Sequence, residues 1–266
     1  MTRALFKVLL FLALTVALLF PTLPVAAIFV EVGPGELLSQ LDDPASLDAL
    51  RLSLETTLIA LAVIIVVGTP AAYLLATRSF RGRALVLTLI ELPLILPPAA
   101  AGVGLLAALG PNGIVGPALE DLGITLPLTT AGVVVALVFV SSPFYLRQAT
   151  AAFGALDPTL LEASSTLGAP EQRTFARVAV PLTLPSLATG AALAWGRALG
   201  EFGATLMFAG SFRGVTQTAP LAIFEFLGTD FDASLALAAV LVAVSGALLL
   251  VLKLAGPGEV RLPALR

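Results

Sequence analysis

The chain is 266 residues long, 58% hydrophobic and only 12% charged, with a mean hydropathy of +1.04, which excludes a water-facing surface and assigns it to a lipid bilayer. It contains neither His nor Cys, so disulfides, thiolate- or imidazole-bound zinc, haem and iron-sulfur sites, and Ser-His or Cys-His catalytic pairs are all excluded. The formal net charge of -3 gives nucleic acid no electrostatic foothold.

Apolar stretches in chain order predict an all-α protein of six transmembrane helices forming a single membrane domain over residues 1–266. The first runs from Leu9 to Val30. Arg3, Lys7 and the small residues Val25-Ala26-Ala27 also fit a cleaved signal peptide. The apolar run continues past Ala27, however, and removing it leaves an odd number of spans, so a retained helix is expected. Spans follow at Leu54 to Ala76 and at Ala84 to Leu109. In the latter, Pro93, Pro97 and Pro98 each delete a backbone donor and predict a kink or break midway, for packing alone or for transport. The fourth span is Thr130 to Leu146, the fifth Leu182 to Phe208 and the sixth Ala233 to Leu254.

Basic residues orient these spans. With the N-terminus cytoplasmic, the inner segments hold Arg3, Lys7, Arg78, Arg81, Arg83, Arg147, Arg173, Arg177, Lys253, Arg261 and Arg266, eleven of the fourteen. The outer loops carry Arg51 and Arg213 among many acids. Both termini are therefore expected inside. No internal repeat relates the two halves, which argues against an inverted-repeat carrier.

The longest inner connection, residues 157–181, reads as folded. Asp157-Pro158 offers an N-cap followed by Pro at the first helical position, Leu160, Leu161 and Leu167 give an apolar face, and Gly168 stands where a left-handed C-terminal cap belongs. Pro170 and Glu171 open a second short helix that runs to Pro181 and hands over to the fifth span. An ordinary amphipathic interfacial helix would also satisfy this pattern.

Glu162-Ala163-Ser164, three residues, Gly168, nine residues and Val178-Ala179-Val180-Pro181 resembles the EAA loop of ATP-binding-cassette importer permeases. That pattern is Glu-Ala-Ala, three residues, Gly, nine residues, Ile, one residue, Leu-Pro. The spacing matches throughout, with Ser164, Val178 and Val180 as the departures. The resemblance implies a type I importer permease fold, with Glu162 to Gly168 forming the coupling helix that docks on a cytoplasmic ATPase subunit. A separate motor is required, because the chain has no Gly-x-x-x-x-Gly-Lys-Ser/Thr phosphate loop and its only lysines are Lys7 and Lys253.

Arg197 and Glu201, four residues apart in the fifth span, are expected to share a helical face. Each charge disfavours insertion by roughly 2.5 to 3.5 kcal/mol on insertion scales, and pairing lowers that cost. Arg197 falls about 22 Å from Leu182, in the outer half of a core about 30 Å thick. Two readings stand: an ion pair that only fixes packing, or charges lining an outer gate. Gly196, Gly200 and Gly203 permit close approach of another helix.

Arg197 to Thr205, with Leu92-Pro93-Leu94-Ile95-Leu96-Pro97-Pro98 and Pro181-Leu182-Thr183-Leu184-Pro185, is similar to the molybdate-transporter permeases within the molybdate, tungstate and sulfate group. The similarity covers about Ser53 to Gly228. It implies a homodimer, two ATPase subunits below, an external oxyanion-binding protein above, and no cofactor, metal or catalytic residue. The ATPase-coupling candidates are then Glu162, Ala163, Ser164, Gly168, Val178 and Pro181, and the path or gate candidates Pro97, Pro98, Arg197, Gly200, Glu201 and Thr205. Tungstate and sulfate remain alternative cargoes. A stand-alone channel or carrier would not require the docking loop, and a membrane enzyme would require clustered reactive groups, whereas Glu55, Glu91 and Glu201 lie on three different helices.

Overall fold

The computed structural model of the protein describes residues 3–33, 35, 39 and 42–255, and the regular structure among them is helical throughout. Arg261 and Arg266 lie outside the described residues. Helix α1 (Arg3–Glu31) contains the first expected span, lies against the last helix and buries no side chain. Helix α2 (Pro44–Thr77) starts well before Leu54, because Asp43 caps it by accepting from the Ser46 amide at 2.9 Å and Pro44 opens its first turn.

The kink or break expected midway through the third span is a break, which divides it into two limbs. Helix α3 (Arg83–Glu91) continues through a 3-10 turn (Leu92–Leu94), the chain turns a corner, and helix α4 (Pro98–Leu109) departs at 116° to the first limb. The Ile95 and Leu96 amides still bond the Leu92 carbonyl, but Pro97 and Pro98 supply no N–H to carry the helical ladder past the corner. A short helix α5 (Gly116–Asp121) then leads to α6 (Thr130–Gly154), which is capped by Thr129 and runs well past Leu146.

Helix α7 (Pro158–Thr166) precedes α8 (Glu171–Leu199), one continuous element in which Phe175–Ala179 form a widened π turn. The short helix expected to end at Pro181 therefore does not end there. Pro181 has no N–H to donate, and the Val180 amide reaches back five residues to the Phe175 carbonyl, so the helix passes through the proline by widening a turn. The fifth span is corrected at its other end, since α8 stops at Leu199 and a separate helix α9 (Gly203–Ala209) follows. Helices α10 (Ala219–Leu227) and α11 (Phe231–Ala255) follow. Among the described residues five helices have the length and composition to cross a bilayer, and six spans result if the bent α3/α4 pair is taken as one.

Helices α2, α6 and α8 form the centre. Ile64, Tyr145, Ala149, Phe153, Ala179 and Leu187 pack at the end nearer α7, and Ala60, Val133, Leu137, Ala198 and Ala209 toward the other. Many of these are alanines because helices surrounded by lipid gain little from excluding water and hold together by close approach. Two long-range polar contacts set the register: Tyr145 Oη lies 2.6 Å from Thr69 Oγ1, and Trp195 Nε1 donates to Thr57 Oγ1 at 3.0 Å.

Helix α4 lies so close to α9 that a Cβ on Gly102 would fall 2.6 Å from the Ala204 carbonyl oxygen and from Met207 Cβ, while one on Gly104 would meet nothing within 4 Å. Gly102→Ala is predicted to cost about 1–3 kcal/mol and to lower the thermal unfolding midpoint of the solubilised protein. Gly104→Ala, on the same helix, should leave the midpoint unchanged or slightly raised.

Candidate functional site

The corner in the third span and the break in the fifth meet. A Cβ built on Gly203, at the start of α9, would lie 2.7 Å from Pro98 Cβ and 3.2 Å from the Ala99 amide nitrogen, so the two interruptions are in van der Waals contact. Behind them Ala101, Leu105, Ala136, Val140, Ala204 and Phe208 form one buried cluster from α4, α6 and α9.

Glu201 organises the break. Its Oε1 accepts from the Ala204 amide at 2.7 Å, capping α9, while Oε2 lies 2.6 Å from Arg197 Nη2 in the last turn of α8. The Glu201 side chain is 1% exposed and the Arg197 side chain 27%, so the anion is sealed and its partner is partly open. The Oε2 contact is a charge contact off hydrogen-bond alignment, since that oxygen makes no hydrogen bond. The expected pair is therefore present, but the expected shared helical face is corrected. Arg197 belongs to α8, Glu201 lies beyond its end, and the carboxylate bridges two helices. One residue past the capped amide, the Thr205 hydroxyl is buried without a hydrogen-bond partner.

At the opposite end of the bundle, α7 is fixed at both ends. Asp157 Oδ1 accepts from the Thr159 amide at 2.9 Å, and that hydrogen bond holds the carboxyl below its ordinary range. At the C-terminus Gly168 adopts φ +79°. Its N–H bonds the Ser165 carbonyl and the Ala169 N–H the Ser164 carbonyl, the two bonds of a Schellman cap.

Leu161 and Ser164 turn inward. Leu161 packs on a cluster in which Tyr73 stands 5.4 Å from Phe153 and 5.0 Å from Phe175 between ring centroids, and Ser164 Oγ meets Thr174 Oγ1 at 2.8 Å. Arg78, just past α2, donates to Glu171 Oε1 at 2.8 Å. Leu160, Glu162, Ala163 and Leu167 stay exposed. Val178 and Pro181 lie in and just after the π turn, half-buried and exposed respectively.

The candidate residues thus form two groups at opposite ends of one helix, α8. Pro98 joins Glu201, Arg197 and Thr205 around the junction, with Pro97 and Gly200 exposed at its two turns. Glu91 and Arg147 do not form an ion pair. Arg147 instead lines a cavity of about 440 Å3 with Leu94, Pro143, Phe144 and Gln148. Sequence reasoning missed Arg78, Glu171 and Tyr73 because their partners are remote in the chain. The missing-Cβ requirement at Gly102 had no local signal either.

The family described as binding-protein-dependent transport system inner membrane component matches residues 68–255. The chain is 38% identical over 248 residues to the probable transport system permease protein NifC of Clostridium pasteurianum, covering 92% of this chain and 86% of that protein. It is 39% identical over 233 residues to the molybdenum transport system permease protein ModB of Mycobacterium tuberculosis, covering 88% of each. Among solved structures, a bacterial alginate ABC transporter bound to its periplasmic protein aligns with TM-score 0.72 at 18% identity, over 94% of this chain and 92% of that one. The MetNI methionine ABC transporter aligns with TM-score 0.59 at 17% identity, over 77% and 91%. These two likenesses concern the fold.

A Cβ at position 168 meets no atom within 4 Å, so substitution there acts through backbone conformation alone. Gly168→Val is predicted to destabilise the cap by about 1–2 kcal/mol and to speed hydrogen exchange across Pro158–Thr166. Gly168→Asn, which tolerates the left-handed region, should retain most of the protection.

Proposed function

The chain belongs to the family of binding-protein-dependent transport system inner membrane components, and on that footing we propose that its cargo is molybdate, taken from an external oxyanion-binding protein and released to the cytoplasm. The chain is the permease subunit of an ATP-driven importer and an integral inner-membrane protein. It is not an enzyme, and ATP hydrolysis belongs to a separate subunit. The observation that carries the substrate is the 39% identity with a molybdenum permease over 88% of both chains.

In this reading two copies of the chain pair in the membrane, two ATPase subunits sit below and the binding protein docks above. Both termini are cytoplasmic. The charge distribution supports the orientation: Arg78, Arg81, Arg83, Arg173 and Arg177 flank the end that carries α7, whereas Asp48 pairs with Arg213 at the other. The ATPase receives the exposed Leu160, Ala163 and Leu167 face of α7, with Glu162 beside it.

Alternating access follows from the linkage of the two groups. Helix α7 is capped at both ends and therefore moves as a body, and its inward side chains grip the start of α8. The exposed Arg78–Glu171 pair adds little holding energy, so the grip rests mainly on Leu161 and the Tyr73, Phe153 and Phe175 rings. Helix α8 is continuous from that grip to the break at Gly200, so a displacement at α7 reaches the junction of α4 and α9. The outer gate is that junction, with Pro97, Pro98, Arg197, Gly200, Glu201 and Thr205 around it. Two short limbs in contact can separate without breaking the ladder of a long helix.

The test is ATP-driven uptake of labelled molybdate into proteoliposomes holding this chain with its ATPase and binding protein. Uptake should require hydrolysable nucleotide and be blocked by excess tungstate but not sulfate. Competition by sulfate would move the cargo to the sulfate branch, and oxyanion uptake independent of nucleotide would overturn the importer reading. In the same assay Gly168→Val should lower uptake per ATP hydrolysed or release the ATPase, and Gly168→Asn should restore coupling.

A further inference from the structure

The proposed gate contains a cation whose present ligand can be exchanged. The Arg197 guanidinium carries five N–H donors. Its Nη2 lies 2.6 Å from Glu201 Oε2, off hydrogen-bond alignment, and its side chain remains 27% exposed. Glu201 does not depend on Arg197 for its position, because Oε1 is held by the Ala204 amide. Next in the chain after Ala204, the Thr205 hydroxyl is buried with no hydrogen-bond partner. A purely structural ion pair would be expected to align its hydrogen bonds and seal both charges. This one seals only the carboxylate.

A guanidinium accepts a carboxylate or a tetrahedral oxyanion with the same planar fork. Resting on the oxyanion-import reading above, we propose that Arg197 is the group that the passing oxyanion takes as its ligand in the gate, displacing Glu201 Oε2 from the guanidinium. Glu201 stays tethered through Oε1 and competes for Arg197 again once the anion is in place. Repulsion between the carboxylate and the dianion keeps the site weak, which a transit site requires, since tight binding slows release. No covalent bond changes, and the only exchange is of one anion for another at a fixed cation.

The experiment uses the permease–ATPase complex in nanodiscs and proteoliposomes, with labelled molybdate as probe. The double variant Arg197→Gln/Glu201→Gln keeps hydrogen-bonding side chains and removes both charges together. A structural pair predicts uptake close to that of the unaltered complex, whereas a ligand role predicts a loss of about tenfold or more. Glu201→Gln alone leaves the cation and the cap on Ala204 but removes the competitor. Molybdate retained by the complex without binding protein should then rise about tenfold, while uptake slows.

Retention that rises in Glu201→Gln and is lost in the double variant supports the proposal. Uptake by the double variant within about twofold of the unaltered complex, or unchanged retention in Glu201→Gln, overturns it. If the double variant fails to assemble, the retention measurement decides. Absence of any oxyanion uptake by an active unaltered complex would refute the importer's cargo instead, so the two failures are distinguishable.

Discussion

Hydrocarbon supplies no hydrogen-bond partner, so a helix interrupted inside a membrane must have its freed backbone groups satisfied by the protein. Two spans of this chain are interrupted, and each is closed by its own residues. At the corner before α4, Pro97 and Pro98 remove the N–H groups that would otherwise need partners. At the break before α9, Glu201 supplies the missing acceptor to Ala204. Placing the breaks against each other, Gly203 on Pro98, covers one side of each. The placement of α4 and α9 and the burial of Glu201 follow from this constraint.

The same constraint explains why a charge is tolerated there. A carboxylate within a membrane span is disfavoured unless paired, and here it is paired twice, with a cation and with an amide. Its partner Arg197 lies two residues before the end of α8, close to the break, with its side chain partly exposed. The cap on α9 and the pairing of Arg197 thus draw on one side chain. Neutralising Arg197 alone would leave a buried carboxylate unpaired, and so would confound a transport defect with misfolding.

Helix α8 links the two groups of candidate residues because it does not stop where proline would ordinarily stop it. The π turn at Phe175–Ala179 absorbs Pro181 and keeps the element continuous from Glu171 to Leu199. A break at Pro181 would place a hinge between α7 and the α4/α9 junction. The widened turn instead keeps the helix unbroken, and its Phe175 ring packs on Tyr73 of α2 and near Phe153 of α6. The three central helices therefore meet α7 at one aromatic cluster.

Much of this was legible along the chain because the relevant physics is local. Apolar runs located the spans, the prolines located the corner, and Asp157 and Gly168 located both caps of α7, since caps and prolines act within a turn of their own position. The pairing of Arg197 with Glu201 was legible too, but not its geometry. Continuous apolar character from Leu182 to Phe208 implied one helix, and only the packing of Gly203 against Pro98 and of Gly102 against Ala204 accounts for a second helix at that place. The Arg78–Glu171 and Thr69–Tyr145 contacts join residues far apart in sequence, where no periodicity records them. The sequence by itself determined which segments cross the membrane and where each can bend, because hydropathy, capping and missing amides are properties of neighbouring residues. Tertiary structure alone decided which bends meet and which helix runs unbroken toward them, because close approach and charge pairing depend on distances that the chain acquires only when folded.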